Sequence, residues 1–355
     1  SLSAPPIGEG VCAIVSPGGR RQDTQNGEGG IFVYRYILKR ILSMIPVLLG
    51  VTIIVFTLMY ISPGSPAAIM LGTEATPEGI AKMEEEMGLN DPYLVRLGRY
   101  IAGVVTRFDL GDSYRTKSPV RDEVFKRLGV TLKLAVISMV IGTILGMILG
   151  IISAVKQYSW MDRISTIFAL LGISMPSFFL ALMLILIFSL GLGWFPVSGS
   201  YSFKYWVLPT ATLGLQAAGI VMRMTRSSML ESIRKDYIRT ARAKGQNEWN
   251  VIIKHALRNA LIPVITVVGN QLSILIGGAV LVESVFSLPG LGKYLIDGIN
   301  NLDYPVVQGS VLVIGFMSVF IMLIVDIIYS FVDPRLKSMY QTTKKKAPAV
   351  VKEKE

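Results

Sequence analysis

Apolar residues along this chain gather in six blocks, about 41–61, 130–155, 164–190, 207–224, 261–285 and 311–332, and the stretches between them hold most of the charge. Each block is close to the ~20 residues that a helix needs to cross a ~30 Å hydrocarbon core. The pattern therefore predicts an all-α, polytopic membrane protein with six transmembrane helices. The scarcity of charge inside the blocks follows from the cost of about 2.5–3.5 kcal/mol for each charged side chain at a bilayer centre. The longest interval, 62–129, is too polar to span and predicts a small external subdomain between helices one and two. Within it, Thr76-Pro77-Glu78 has the form of an N-cap, a proline at the first helical position and an acid in the first turn, and Gly88 is the natural stop for the helix that follows.

Charge then orients the blocks. Arg35, Lys39 and Arg40 precede the first, Lys156 and Arg163 lie between the second and third, and Arg223 and Arg226 close the fourth. In the stretch 226–260, basic residues outnumber the acids Glu231, Asp236 and Glu248, and Lys344-Lys345-Lys346 follows the sixth block. By the positive-inside rule both termini and the 226–260 loop are cytoplasmic. Trp194, Tyr201, Tyr205 and Trp206 then fall at the outer interface, as an aromatic belt does. The connection 287–308 is external, with a short helix over 293–299. The net charge of +11 reads as topology, and no nucleic-acid partner is expected.

Some polar or helix-breaking residues interrupt the blocks. Ser174-Met175-Pro176-Ser177 removes a backbone donor in mid-block, so a kink should free carbonyls that need partners inside protein or a wet cavity. Asn270 and Gln271 sit in the fifth block. Ser174, Pro176, Asn270 and Gln271 are candidate pathway residues, and ordinary packing between helices is the alternative for all four. Glu283 and Asp326 are the only acids available for an intramembrane ion relay, and each lies toward one end of its block.

Residues 1–30 are rich in Gly, Pro, Ser and Gln without helical or strand period, which predicts a disordered extension. The apolar run around Val11 is too short for a secretory signal. Residues 337–355 are expected to be a basic, disordered tail. Cys12 and His255 are the only residues of their types, which excludes a disulfide within one chain and argues against a His/Cys metal site. A phosphate-cradling loop needs Gly-x-x-x-x-Gly-Lys followed by Ser or Thr. At Gly292-Lys293 the first Gly is Ser287 and the hydroxyl residue is Tyr294. With no His-Glu-x-x-His or Gly-x-Ser-x-Gly either, the chain reads as no enzyme, without catalytic, cofactor-binding or metal residues of its own. A transporter so built borrows a motor from a partner or runs on an ion gradient.

The loop between blocks four and five is where a motor could engage. Asp236–Gly245 predicts a short helix with Tyr237, Ile238 and Ala241 on one face and basic residues on the other, stopped by Gly245, with a second helix from about Glu248. Spacing alone leaves two roles open, a mechanical coupling element or a basic amphipathic segment on anionic lipid.

The run Arg239-Thr240-Ala241-Arg242-Ala243-Lys244-Gly245 resembles the "EAA" loop of binding-protein-dependent ABC importer permeases, in the variant of the oligopeptide, dipeptide and nickel permeases. Ser62-Pro63-Gly64-Ser65-Pro66, Asp109-Leu110-Gly111-Asp112-Ser113, 283–292, 303–309 and Asp333-Pro334-Arg335 are similar to the same family. The general motif has Glu and Ala where Arg239 and Thr240 stand, and many members have Leu-Pro where Leu257-Arg258 stands. The resemblance implies a permease transmembrane domain over 31–336, natively starting near Ile31, with the coupling loop within 226–260. It further implies that Tyr237, Arg239, Ala241, Arg242 and Gly245 engage an ATP-binding subunit that holds the ATP and Mg. A second homologous permease, an extracytoplasmic substrate-binding protein and the lipid bilayer would be the other partners, with di- or oligopeptides as cargo. An ion-gradient-driven secondary transporter is the alternative.

Overall fold

A computed structural model describes residues 23–332, so the expected tail 337–355, residues 1–22 and Asp333-Pro334-Arg335 lie outside the described residues. The chain divides into two units after Ser43. The first contributes the start of α1 (Asp23–Ile61), and the architecture that follows belongs to the second. α1 takes in residues 23–30, the last part of the stretch without helical period. Once a helix is nucleated, each added residue gains a hydrogen bond at little further entropic cost, so an apolar span can extend into a segment with no helical period of its own.

After α1 come three short helices, α2 (Pro66–Leu71), α3 (Pro77–Glu86) and α4 (Tyr93–Arg107), in the interval read as an external subdomain. The cap of α3 forms as the sequence predicts: Thr76 Oγ1 accepts from Gly79 N at 3.2 Å, and Gly88 takes φ +64°. Then follow α5 (Val120–Val155), α6 (Trp160–Ser174), α7 (Ser177–Leu184, continued by a π turn to Gly191), α8 (Lys204–Ile233) and α9 (Asp236–Ala243). α10 (Glu248–Asn250) passes through a π turn, Val251–Leu257, into α11 (Arg258–Val285), and α12 (Leu291–Asn300) and α13 (Tyr304–Val332) complete the described chain. No strand occurs among the described residues, where Asp112 and Pro119 form an isolated bridge.

Five helices are long and apolar enough to cross a membrane, and α6 with α7 makes a sixth only if the pair, bent by 111°, counts as one span. The bend falls at Met175-Pro176, where the sequence predicts a kink, but the helix is broken outright there. Two other boundaries also move. α5 starts ten residues before its apolar block, with Asp122 and Glu123 at its positive end and Arg127 paired to Glu123 at 3.1 Å. α8 runs on to Ile233 and the next helix starts at Glu248, so only 234–247 lies outside the two long helices. Mean hydropathy falls where one face of a helix becomes polar, although the helix itself continues.

The bundle is organised around α5 and α8. Ser138, Gly142, Gly146, Gly150 and Ala154 repeat at intervals of four on α5 and are all buried. A Cβ at Gly142 would lie 2.7 Å from Gly214 O, at Gly146 2.6 Å from Ala218 O, and at Gly150 2.6 Å from Thr225 Cβ. Hydrocarbon solvent gives apolar helices no hydrophobic reason to associate, so close backbone approach and its dispersion contacts must hold this pair. α6 meets the other side of α8 in the same way: a Cβ at Gly219 would sit 2.7 Å from Ala169 O. Leu134, Ile185, Leu213, Val264, Ile276 and Ile321, from α5, α7, α8, α11 and α13, fill the main core.

Two polar clusters fasten one end of the bundle. At the end carrying the short helices, a tongue at 109–119 folds onto the start of α13. Buried Asp303 accepts from Ser113 Oγ at 2.6 Å and from Tyr114 N at 3.1 Å, with the Tyr114 and Tyr304 rings 6.2 Å apart. Burial pushes the Tyr114 phenol up to about 12, so it stays neutral at physiological pH. Replacing Asp303 by alanine strands these donors, at a cost of about 1–3 kcal/mol. The expected result is rapid tryptic cleavage at Arg115 and Lys117 in a protein otherwise as resistant as wild type, read by limited proteolysis.

At the same end, Glu283 and Thr131 cap α12. Gly292 N and Lys293 N donate to Glu283 Oε2 at 2.7 and 3.2 Å, and Leu291 N donates to Thr131 Oγ1 at 2.9 Å. Three of the four amides that a helix leaves open at its N-terminus are thereby satisfied from α5 and α11. Glu283 is fully buried in this role, a structural use for one of the two acids an ion relay could have drawn on.

Candidate functional site

The opposite end of the bundle carries the loop helix α9, and its termination is built from backbone. Gly245 N donates to Arg242 O at 2.9 Å and Gln246 N to Ala241 O at 3.3 Å, with Gly245 at φ +75°. This paired 5→2 and 6→1 arrangement is a Schellman motif, which uses the left-handed conformation that glycine adopts without strain. A Cβ at Gly245 would meet nothing within 4 Å, so the backbone angle and not the space is what asks for glycine.

The two faces of α9 divide differently from the expectation. Ile238 is fully buried and Ala241 is 9 % exposed, and both join Ala154, Met229, Val251 and Ala256 in a small core of their own. Tyr237 is exposed and its hydroxyl accepts from Asn259 Nδ2 at 3.0 Å. Ala241 therefore packs against the bundle's own helix ends. An amphipathic helix has a single apolar stripe, and here the stripe seats the helix on the bundle. What remains outward is the basic face with Arg239, Arg242, Lys244 and Gly245. Arg242 is bound bidentately by Glu248, at 2.7 and 3.2 Å, which ties α9 to the following helix and raises the arginine's pKa. His255 lies in the π turn beyond, half-buried.

Beneath the loop lies a cluster that sequence reasoning did not assemble. Arg226 Nε and Nη2 each donate at 2.9 Å to the two oxygens of Asp162, Ser153 Oγ also bonds Asp162, and Tyr158 N donates to Asp162 Oδ2 at 3.0 Å. α5, α6 and α8 are pinned together where they reach the loop. A bidentate arginine–carboxylate pair fixes orientation as well as distance, and Asp162 is only 5 % exposed. The sequence shows these residues as topology charges, and nothing in their spacing, 64 residues apart, announces the pair.

The four candidate pathway residues are spread out. Ser174 and Pro176 are exposed at the α6–α7 break, Asn270 is exposed on α11, and Gln271 is buried beside it. Among the described residues no hydrogen bond joins the two groups. The partner that the break requires is Gln216 on α8, whose Nε2 donates to Met175 O at 2.8 Å. The proline predicts that a carbonyl will need a donor, but not one 41 residues away.

Comparison with known proteins places this architecture. Residues 146–338 match the model for "binding-protein-dependent transport system inner membrane component", and 33–135 match its N-terminal companion. The dipeptide transport system permease protein DppB of Alkalihalophilus pseudofirmus is 45 % identical over 330 residues, covering 85 % of this chain and 99 % of its own length. The glutathione transport system permease protein GsiC of Salmonella paratyphi A is 42 % identical over 302 residues, covering 85 % and 98 %. An inward-facing structure of the MetNI methionine ABC transporter aligns with 59 % of this chain and 96 % of its own at TM-score 0.50 and 20 % identity, a likeness of fold. Spanning helices, a loop helix ended by Gly245 and matches over most of its length together make this chain a member of the binding-protein-dependent transport system inner membrane component family.

Proposed function

We propose that this protein is one of two permease subunits of an ATP-driven importer of di- or oligopeptides in the bacterial inner membrane. α6 and α7 form one bent crossing, giving six spans with both termini and α9 in the cytoplasm. The concentration of Arg226, Arg234, Lys235, Arg239, Arg242 and Lys244 around α9 supports this sidedness, since short basic loops stay inside. Peptide cargo is supported by the relatives, which are permeases for dipeptides and glutathione.

The observation that carries the mechanism is the seating of α9. Its apolar stripe is spent on the bundle and its basic face is presented outward, so a force applied there reaches α5, α8 and α11 through a packed core. A separate ATP-binding subunit, holding ATP and Mg, grips that face. Its closure on ATP turns the two permeases from inward- to outward-facing as rigid bodies. A substrate-binding protein delivers peptide at the end carrying α2–α4 and α12. The path lies between the two permeases, with Asn270 and the α6–α7 break exposed toward it.

Reversing the basic face tests this reading. Arg239→Glu with Lys244→Glu removes no buried group, so membrane insertion and thermal stability are expected to stay at wild-type values. ATP-dependent peptide uptake and co-purification of the ATP-binding subunits are expected to fall by about tenfold or more, the scale of unfavourable charge across an interface. A doubly reversed protein that still bound its ATPases and transported peptide would overturn the assignment of α9.

A further inference from the structure

We infer that α4 lies along the membrane surface at the end away from α9, with one face sunk into the acyl chains of that leaflet, so that the partner of this face is lipid. The inference needs the spans already described and no particular cargo. On a helix of ~3.6 residues per turn, Leu94, Gly98, Ile101, Ala102 and Val105 fall on one face, and Arg96, Arg99 and Arg107 fall on the opposite half. Leu94 is 76 % exposed and Val105 77 %, more than any other Leu, Ile or Val among the described residues. A Cβ at Gly98 would meet nothing within 4 Å, so no described residue covers the middle of the face.

Depth decides what meets that face. The apolar span of α1 is Arg40–Ile61, 22 residues or ~33 Å of helix against a hydrocarbon core of ~30 Å. Phe56, Thr57 and Tyr60 therefore lie at the edge of the core. α4 packs on these three residues: the Tyr93 hydroxyl is 2.8 Å from Thr57 Oγ1, the Tyr93 ring is 5.2 Å from that of Tyr60, and the Tyr100 ring is 6.2 Å from that of Phe56. From Tyr93 to Tyr100 the contact on α1 moves inward by about one turn at most, so α4 does not climb away from the edge. At its far end Phe108 lies 5.9 Å from Phe125 of α5, and both rings are exposed. Phe125 precedes the apolar block of α5 by about five residues, ~7 Å of helix, which is the thickness of the headgroup layer.

A helix at this level has hydrocarbon on one side and water on the other, and the residues of α4 divide in the same way. Arg99 pairs with Asp91 at 2.7 Å, both side chains exposed, on the edge that also carries Thr106. Arg96 turns inward over the Phe56 and Tyr60 rings, at 5.9 and 5.7 Å, which keeps its charge out of the apolar face. Leu58 and Ile61, at the same level on α1, are exposed as well. Interfacial helices sink such a face ~5–10 Å into the boundary between headgroups and acyl chains. A substrate-binding protein arrives through water and meets the polar edge first, so the apolar face is left to lipid, and α2, α3 and α12 are left to the binding protein.

The test puts a spin label on the assembled transporter in phospholipid nanodiscs, through Leu94→Cys, Gly98→Cys or Val105→Cys, one at a time in a Cys12→Ser background. Arg99→Cys and Thr106→Cys mark the water side. Each label's collision rate is measured with dioxygen, which concentrates in hydrocarbon, and with a nickel chelate, which stays in water. The ratio of oxygen to nickel collisions is expected to be severalfold higher at Leu94, Gly98 and Val105 than at Arg99 and Thr106. A high nickel rate at the first three positions puts the face in water and overturns the inference. Low rates for both reagents there mean that protein covers the face, and overturn it too. Repeating the measurement without the substrate-binding protein then names the cover: rates that rise assign the face to the binding protein, and unchanged rates assign it to the second permease. All five substitutions replace exposed residues, and if one variant fails to assemble the remaining positions decide.

Discussion

Gly146→Leu is expected to prevent this protein from accumulating in a folded form. At that position even a Cβ would stand 2.6 Å from Ala218 O, 2.8 Å from Val221 Cβ and 3.0 Å from Met222 N, and two of those three atoms are backbone. A flexible side chain can swing aside, but a helix backbone cannot without parting α5 from α8 along its length. Overpacking a rigid site costs about 1–3 kcal/mol, and more where backbone must move. The pair also organises the core on which α11 and α13 pack, so the loss spreads. The check is the yield and thermal unfolding temperature of the detergent-solubilised protein. Gly129→Ala on the same helix, where an added Cβ meets nothing within 4 Å, is the control. It is expected to be neutral or slightly stabilising, since glycine in a helix interior is about 1 kcal/mol worse than alanine. Equal yields from the two variants would mean that α5 and α8 are not in close contact.

Arg226→Met carries the second large effect. It leaves Asp162 buried without its cation, and breaking one side of such a pair costs about 3–5 kcal/mol. Arg226 is itself part-exposed, its side chain retaining 29 % of its accessible surface, which places the expected loss at the lower end, about 3 kcal/mol. The double variant Arg226→Met with Asp162→Asn is expected to recover more than half of it, because the stranded charge is gone while Ser153 and Tyr158 still have a hydrogen-bonding amide oxygen nearby. A thermal-unfolding double-mutant cycle in detergent measures this. Additive losses in the cycle would show that the two residues do not act as a pair. Since the cluster lies under the loop that bears α9, the single variant should also transport poorly where it folds at all.

How much of this could be read from the chain depended on the range of the physics involved. The spans were legible because hydrocarbon thickness imposes a length on each apolar block, and the α3 cap was legible because Thr76, Pro77 and Gly88 act on their own neighbours. The stop at Gly245 was legible for the same reason, since a left-handed residue is a local demand. The ends of α5 and α8 were misjudged because amphipathic turns lower hydropathy without ending a helix. The seat of Ala241 was not legible because one apolar stripe can seat a helix on its own bundle or on a partner, and spacing is the same in either case.

Sequence by itself thus determined the class of molecule, the number of apolar blocks, the position of the bend at Pro176 and the position of the loop helix, each set by solvent, chain stiffness or a residue's own backbone preference. Tertiary structure alone decided that Gln216 answers the break, that Arg226 finds Asp162, and that Glu283 caps α12. Those pairings depend on which helix ends pack together, α8 against α6 and the α6–α7 break and α11 against the start of α12, and a residue's own backbone preference does not specify its neighbour in another helix.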